Sequence, residues 1–165
     1  MKEVSIYIAT SIHGRWNRDG YIGYCLEYYK EGSKYPNTLM DYERVEDLNE
    51  NRAEQQALIR AISRIREKCV LSIYTESEYL YKGFCEDSNV EKWIKAGWKT
   101  TRNTEVKNRD KWQELIRLLQ GNMYKFYLKE TNAYVTRLQA DLRSLETGEI
   151  TLEALREKRK EKRDV

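Results

Sequence analysis

Three carboxylates of this chain stand where successive elements of an α/β fold would bring them together. Glu54 lies in the first turn of a predicted helix, Glu76 directly follows a predicted strand, and Asp141 lies on a later helix. Clustered carboxylates repel one another unless they bind a hard cation, and Mg²⁺ prefers carboxylate and water oxygens. Two such ions could clamp a phosphodiester for in-line hydrolysis. Each acid on its own is more simply explained as a surface charge, because the chain has 27 acidic residues.

Few residues support other catalytic chemistries. The single histidine, His13, excludes a multi-histidine metal site and disfavours a Ser-His-Asp triad. The three cysteines, Cys25, Cys69 and Cys85, are widely spaced and form neither a zinc signature nor a disulfide framework. We therefore expect a reduced, cytoplasmic chain. No apolar run approaches the ~20 residues of a membrane span, and the first residues resemble a strand rather than a signal peptide, so no membrane is expected.

Length and charge predict one domain with a basic end. The chain has 165 residues, which is enough for one ordinary domain. We expect that domain over residues 1–147 and a basic helical tail over residues 148–165. The last ten residues hold six basic and three acidic side chains, so their net charge is +3. The whole chain also has a net charge of +3, and the first 155 residues are therefore neutral. The tail is either a solvated helix end or an arm that attracts nucleic acid.

Hydrophobic periodicity predicts the elements that position the acids. Val4, Ile6 and Ile8 alternate with other residues and predict a first strand. Aromatic and branched residues predict further strands over residues 21–29 and within 38–46. The spacing then changes to that of a helix from about residue 51 to residue 67, and strand spacing returns at residues 70–74.

The second half of the chain is mainly helical. Helices are predicted from about residue 77, over residues 90–96 and from about residue 108, and a last strand is predicted at residues 123–128. Tyr134, Leu138, Leu142 and Leu145 then share one face of a closing helix. Gly148 fits a helix stop, and Thr151 fits the N-cap of a terminal helix. This order of elements predicts a mixed sheet with helices on its faces.

Several short segments match the motifs of one known family in both order and spacing. Residues 5–11 (Ser-Ile-Tyr-Ile-Ala-Thr-Ser) look like a first strand that in the family ends in Asp-Gly-Ser. Residues 51–54 resemble the helix start Asn-Asn-Arg-x-Glu, and residues 73–79 are similar to Tyr-Thr-Asp-Ser-x-Tyr. The most specific match runs from Gly97-Trp98-Lys99-Thr100 to Val106-Lys107-Asn108. On these segments the chain resembles the type 1 ribonuclease H family over roughly residues 3–145.

The resemblance implies a ribonuclease H-like α/β fold. That fold has a five-stranded mixed sheet, with three antiparallel strands followed by two parallel ones, flanked by helices. Here an extra C-terminal helix would be added. The resemblance also implies cleavage of RNA–DNA hybrids by four acids that hold divalent metal ions.

The chain departs from this family at the acids themselves. Ala9 stands where the first strand of the family carries an aspartate, and a methyl group cannot bind a metal ion. Glu54 is retained, Glu76 is one methylene longer than the family's aspartate, and Asp141 matches the fourth acid by its spacing from Lys129. The remnant catalytic and metal-binding set is therefore Glu54, Glu76 and Asp141, which could still hold Mg²⁺ or Mn²⁺. The family's Lys-Gly-His loop is replaced by Lys-Glu-Thr, so its histidine is absent.

Hybrid recognition relies on backbone shape and 2′-hydroxyl contacts, and so does not need the catalytic acids. The residues expected to contact nucleic acid include Asn51 in the helix start and Arg15 in the first loop. Others lie in the most specific segment: Trp98, Lys99, Thr100, Lys107 and Asn108. Glu50 replaces an asparagine of the family and would repel phosphate.

We therefore expect a catalytically degenerate ribonuclease H-like protein, a pseudoenzyme that binds RNA/DNA hybrid or structured RNA without efficient cleavage. Two alternatives stay open. The 13 tyrosines suit a protein-interaction module built on the same fold. Glu54, Glu76 and Asp141 could instead support a residual Mg²⁺-dependent hybrid ribonuclease.

Overall fold

A five-stranded sheet forms the centre of the computed structural model, which describes residues 1–85 and 88–163, with side chains up to residue 160. Strands β1 (Lys2–Thr10), β2 (Arg18–Tyr28) and β3 (Asn37–Leu48) pair antiparallel. Strands β4 (Cys69–Thr75) and β5 (Met123–Leu128) continue the sheet in parallel from β1. The strand order is β3-β2-β1-β4-β5, which confirms the predicted mixed sheet.

Six helices in the described residues flank this sheet. They are α1 (Glu50–Ser63), α2 (Glu78–Phe84), α3 (Asn89–Lys95), α4 (Arg109–Leu119), α5 (Ala133–Thr147) and α6 (Leu152–Arg163). Helix α1 ends earlier than predicted, because the N–H groups of Arg64 and Ile65 bond to carbonyls three residues back and tighten its last turn. Across the described residues, no helix combines the length and the hydropathy needed to cross a membrane.

The central strands β1 and β2 are buried on both faces of the sheet, where successive side chains of a strand point in opposite directions. In β1, Val4, Ile6 and Ile8 join the core under α1, α2 and α4. Tyr7 and Ala9, which alternate with them, join a second core under α5 and α6. Ala9 therefore lies near the carboxyl end of β1, on the α5 side of the sheet.

The start of α1 is fixed by polar contacts. Asn49 caps the helix, and its side-chain oxygen accepts a hydrogen bond from the backbone N–H of Arg52 at 3.0 Å. The guanidinium of Arg52 then donates to both carboxylate oxygens of Asp110 at 2.9 and 2.8 Å. This pair joins the first turn of α1 to the first turn of α4. It therefore holds the segment around Lys107 and Asn108 beside α1.

Helix α6 packs on the α5 side of the sheet through a buried ion pair. Arg159, only 2% exposed, donates to both carboxylate oxygens of Asp141 at 2.8 and 2.7 Å. The hydroxyl of Tyr42 also donates to Asp141. Arg156 donates to Asp41 at 3.1 Å, so two cations of the predicted basic tail are paired within the fold. The side chains of residues 161–165 lie outside the described residues, and the domain limit at residue 147 stays a prediction.

Replacing Arg159 with alanine should leave Asp141 as an unpaired buried charge. We expect Arg159→Ala to lower the free energy of unfolding by about 3–5 kcal/mol. The double variant Asp141→Asn/Arg159→Met removes both charges, and its free energy of unfolding should fall markedly less than that of Arg159→Ala. Urea unfolding followed by circular dichroism measures both variants. Equal losses for the two would show that the ion pair is not what holds α6.

Candidate functional site

A cavity of about 380 Å³ opens where β1 and β4 end, at the edge of the sheet where α1 begins. Carboxyl ends of parallel strands are the usual location of ligand sites in open α/β sheets. Of the predicted acids, Glu54 and Glu76 lie in its wall, together with Ala9. The full lining consists of Ala9, Thr10, His13, Glu50, Asn51, Glu54, Glu76, Ser77, Glu78, Tyr79, Lys129 and Gln139.

Glu54 is the buried acid of this cavity, with only 6% of its surface exposed. Burial, with a smaller contribution from the nearby carboxylates of Glu50 and Glu76, raises the pKa of its carboxyl to about 8. A hydrogen bond with the side chain of Thr75 acts in the opposite direction. One carboxyl oxygen, Oε2, is buried with no hydrogen-bond partner among the described residues. Glu54 is therefore mostly protonated at neutral pH.

Two further acids of the cavity wall, Glu50 and Glu78, have partners within the protein. His13 Nδ1 lies 3.1 Å from a carboxylate oxygen of Glu50, and Lys129 Nζ lies 3.0 Å from one of Glu78. The bond from Lys129 lowers the pKa of Glu78. Lys129 therefore already supplies positive charge to one side of the acidic wall.

Asp141 lies outside the cavity. Its carboxylate is held by Arg159 and Tyr42 in the core between α5 and α6. Helix α5 presents Gln139 to the cavity instead. An α-helix turns by about 100° per residue, so two residues along the chain correspond to a rotation of about 200° about the helix axis. The two side chains therefore belong to opposite faces of α5.

The sequence contained a signal for the buried position of Asp141. Asp141 lies three residues after Leu138 and four before Leu145, and both leucines are buried. It therefore falls on the apolar stripe of α5. Spacing from Lys129 predicted the family's fourth acid at Asp141, whereas the helical spacing points to Gln139 as the residue at the cavity.

The side chains of the cavity do not fit a divalent metal ion of the kind the resemblance implies. Ala9 offers no side-chain ligand atom, and Asp141 is paired with Arg159 outside the cavity. Across residues 1–85 and 88–160, no group of three or more His, Cys, Asp or Glu side chains is arranged to hold a metal. No hydrolytic step through a metal follows from this geometry.

A second concavity, of about 790 Å³, adjoins the cavity on the side of the β1–β2 loop. We refer to it as the loop groove. Of the predicted nucleic-acid contacts, Arg15, Asn51, Lys107 and Asn108 all line it. The whole lining is Gly14, Arg15, Trp16, Asn49, Glu50, Asn51, Tyr79, Lys107 and Asn108.

Asn108 has a structural part in this groove. Its side-chain oxygen accepts a hydrogen bond from Arg52 at 3.1 Å, and its amide donates to the hydroxyl of Tyr79 at 3.0 Å. Its backbone is left-handed, with φ of 61°, which asparagine tolerates better than most residues. Asn108 thus shapes the groove, whereas Arg15 and Lys107 offer exposed cations.

Trp98, Lys99 and Thr100 do not line the loop groove. Trp98 is 8% exposed and packs against Trp93, with ring centroids 6.2 Å apart. Lys99 pairs through its backbone with Glu105 in an isolated bridge. The hydroxyls of Thr100 and Thr104 lie 2.7 Å apart. These residues build the turn that leads to Lys107.

Comparison with known proteins identifies the family. The family model described as RNase H matches residues 1–136. A ribonuclease H of Acetivibrio thermocellus is 39% identical over 125 residues, which cover 76% of this chain and 78% of that protein. The chain therefore belongs to the ribonuclease H family.

Solved structures share the fold at low sequence identity. LC9-RNase H1, described as a type 1 RNase H with the type 2 active-site motif, superposes with a TM-score of 0.72 at 19% identity, covering 91% of this chain and 74% of that one. A foamy viral protease-reverse transcriptase in complex with RNA/DNA hybrid gives a TM-score of 0.54 at 13% identity, covering 86% and 19% of the two chains.

The raised pKa of Glu54 predicts a pH dependence of stability. A carboxyl with a pKa of about 8 when folded and ~4.3 when unfolded favours the folded state below the lower value. That stability is lost as the pH rises towards about 8, by at most about 1.4 kcal/mol per pH unit.

Glu54→Gln should therefore stabilise the protein relative to wild type increasingly from acid to slightly alkaline pH. Urea unfolding across this range measures the difference. Glu31→Gln, at an exposed position in the β2–β3 turn, is the matched control and should track wild type. A constant offset between Glu54→Gln and wild type would contradict the raised pKa.

Proposed function

We propose that the protein binds an RNA/DNA hybrid or a structured RNA and does not cleave it efficiently. Membership of the ribonuclease H family supports the nucleic-acid part. One solved structure with this fold also contains an RNA/DNA hybrid. Such duplexes are recognised mainly by backbone shape and 2′-hydroxyl contacts, which require no catalytic acid.

The observation that carries the non-cleaving part is the make-up of the cavity wall. Two of its positions, Ala9 on β1 and Gln139 on α5, carry neutral side chains. The resemblance implies four acids that would hold metal ions, and such ions activate water and stabilise the leaving oxygen. Loss of metal carboxylates removes transition-state stabilisation, and each ~1.4 kcal/mol is tenfold in rate. Efficient hydrolysis by Glu54 and Glu76 alone does not fit these residues.

The binding part rests on the loop groove. Arg15 and Lys107 are exposed cations on two sides of it, and Asn51 adds an amide at the start of α1. Cations positioned along a groove attract phosphates and release counterions, so affinity falls with salt. The carboxylate of Glu50 also lies in the groove and is paired with His13. Phosphates would therefore lie on the Arg15 and Lys107 sides.

A titration of a labelled RNA/DNA hybrid tests both parts at once. We expect salt-sensitive binding with no cleavage in the same samples, with Mg²⁺ or Mn²⁺ present. Lys107→Ala should weaken binding and reduce the slope of log affinity against log salt by about one. Lys34 lies in the β2–β3 turn, at the opposite end of β2 from the β1–β2 loop. Lys34→Ala should therefore leave the affinity and the salt slope unchanged.

Two outcomes would contradict this proposal. Cleavage that is abolished by Glu76→Gln would show a working metal centre without an aspartate at position 9. Absence of binding at low salt would remove the nucleic-acid partner.

Restoring acids at the two neutral positions should create a metal site. Since affinity grows with the number of charged ligands, Ala9→Asp/Gln139→Asp should bind Mn²⁺ about tenfold or more tightly than Ala9→Asp alone. Titration calorimetry measures this. The matched control is Ala9→Asp/Arg143→Asp, because Arg143 lies one turn further along α5. Equal gains from both second substitutions would mean that Gln139 does not occupy the fourth acidic position.

A protein partner is the second candidate, favoured by a row of tyrosines. The rings of Tyr7, Tyr74 and Tyr127 stack across β1, β4 and β5 with centroids 4.7 Å apart at each step, and of these Tyr74 and Tyr127 are half-buried whereas Tyr7 is buried under α5. Lys125 Nζ lies 5.0 Å from the ring of Tyr127. Tyrosine is enriched at protein interfaces, and β5 is an edge strand. Failure of the hybrid to bind would direct the search for partners to this face.

A further inference from the structure

The β1–β2 loop presents an aromatic side chain that the packing of the protein does not use. Trp16 is 74% exposed, whereas Trp98 and Trp112 are 8% and 0% exposed. The guanidinium of Arg15 lies 4.9 Å from the ring centroid of Trp16, which is a cation–π contact. An indole left in water loses the burial energy that usually fixes it in a core. Trp16 therefore contributes little to the stability of the fold, and its ring is accessible to a ligand.

The residues on both sides of this pair are held by hydrogen bonds. The carbonyl of Gly14 accepts a hydrogen bond from the backbone N–H of Glu50 at 3.0 Å, which attaches the loop to the start of α1. After the pair, Arg18 donates to the carbonyl of Asp19 at 2.9 Å and to Glu146 at 3.1 Å. The loop thus holds Arg15 and Trp16 at a defined place on the edge of the loop groove.

The chemistry of the groove beside Trp16 fits a nucleotide. The indole offers a stacking face, Arg15 and Lys107 offer charge for phosphate, and Asn51 offers donors and acceptors. Stacking of bases on aromatic side chains, with arginine alongside, is how single-stranded nucleic acid is bound without sequence preference. A base inside a duplex has both faces covered by its neighbours. A base in a single-stranded extension is free to turn a whole face onto Trp16 without moving the duplex from the groove, whereas a terminal pair exposes only its outer face.

We propose that Arg15 and Trp16 form a stacking site for an unpaired nucleobase, so that the protein prefers hybrids with a single-stranded extension. This inference rests on the proposed function, because the duplex would occupy the rest of the groove. The site would distinguish a hybrid with unpaired nucleotides, at an overhang or a gap, from a fully paired one. It involves binding only and requires none of the acids of the cavity.

The test compares a short blunt-ended RNA/DNA hybrid with the same hybrid carrying a few unpaired nucleotides at one end. Fluorescence anisotropy should show that wild type binds the extended hybrid about tenfold more tightly, within the range known for one stacked base. Trp16→Ala should lose this preference while still binding the blunt hybrid. Trp16→Phe should retain part of it. Tyr35→Ala removes an aromatic side chain that is 71% exposed in the β2–β3 turn, and it should behave as wild type.

Intrinsic fluorescence gives a second readout. The extended hybrid should quench wild-type emission, and the component that is quenched should be missing from Trp16→Ala. If wild type binds both hybrids equally, or if Trp16→Ala keeps the preference, the stacking site is wrong while hybrid binding stands. If wild type binds neither hybrid, the proposed function fails and the stacking site fails with it.

Discussion

The buried ion pair between Asp141 and Arg159 joins α5 and α6 and keeps one face of α5 turned towards the core. Two charges removed from water are tolerated when their geometry is good, and here both carboxylate oxygens accept hydrogen bonds from one guanidinium. The pair lies on the same stripe as Leu138 and Leu145, so apolar packing and charge pairing favour the same rotation of α5. That rotation turns Gln139 to the cavity and fixes α6 on β3. Which side chain of α5 lines the cavity therefore depends on an ion pair formed on the opposite face of that helix.

Much of the fold could be predicted from periodicity, because the positions of apolar residues depend only on local geometry. The alternation of Val4, Ile6 and Ile8 predicts β1, and the later change of spacing predicts α1. The motif around Lys107 and Asn108 indicated the family. The position of Asp141 was harder, because counting from Lys129 assumes that the connecting loop has the family's length. Its partner Arg159 lies 18 residues further along the chain, beyond the turn at Gly148, and no local pattern reveals that contact.

The candidate nucleic-acid residues divide in a similar way. Arg15 and Asn51 are far apart in the sequence and meet because the Gly14 carbonyl bonds to the start of α1. Trp98 matches a family motif, but it is a buried residue that supports the turn before Lys107. Sequence resemblance predicted this segment as a contact for nucleic acid, and burial decides which of its side chains can reach a ligand. The cavity and the loop groove thus differ in chemistry, because Lys129 of the cavity is paired with Glu78, whereas Arg15 and Lys107 of the loop groove are exposed.

We propose that β1 and α5 present neutral side chains at the positions where a metal centre would need acids. Crystals of the wild-type chain soaked in Mn²⁺ at neutral pH, measured by anomalous diffraction, test this claim directly. We predict no anomalous peak in the cavity between Glu54 and Glu76, and we expect Asp141 to remain bound to Arg159. An ion coordinated by Glu54, Glu76 and Asp141 would contradict it. That result would show that α5 can turn its acid to the cavity and would return the chain to the class of metal-dependent ribonucleases.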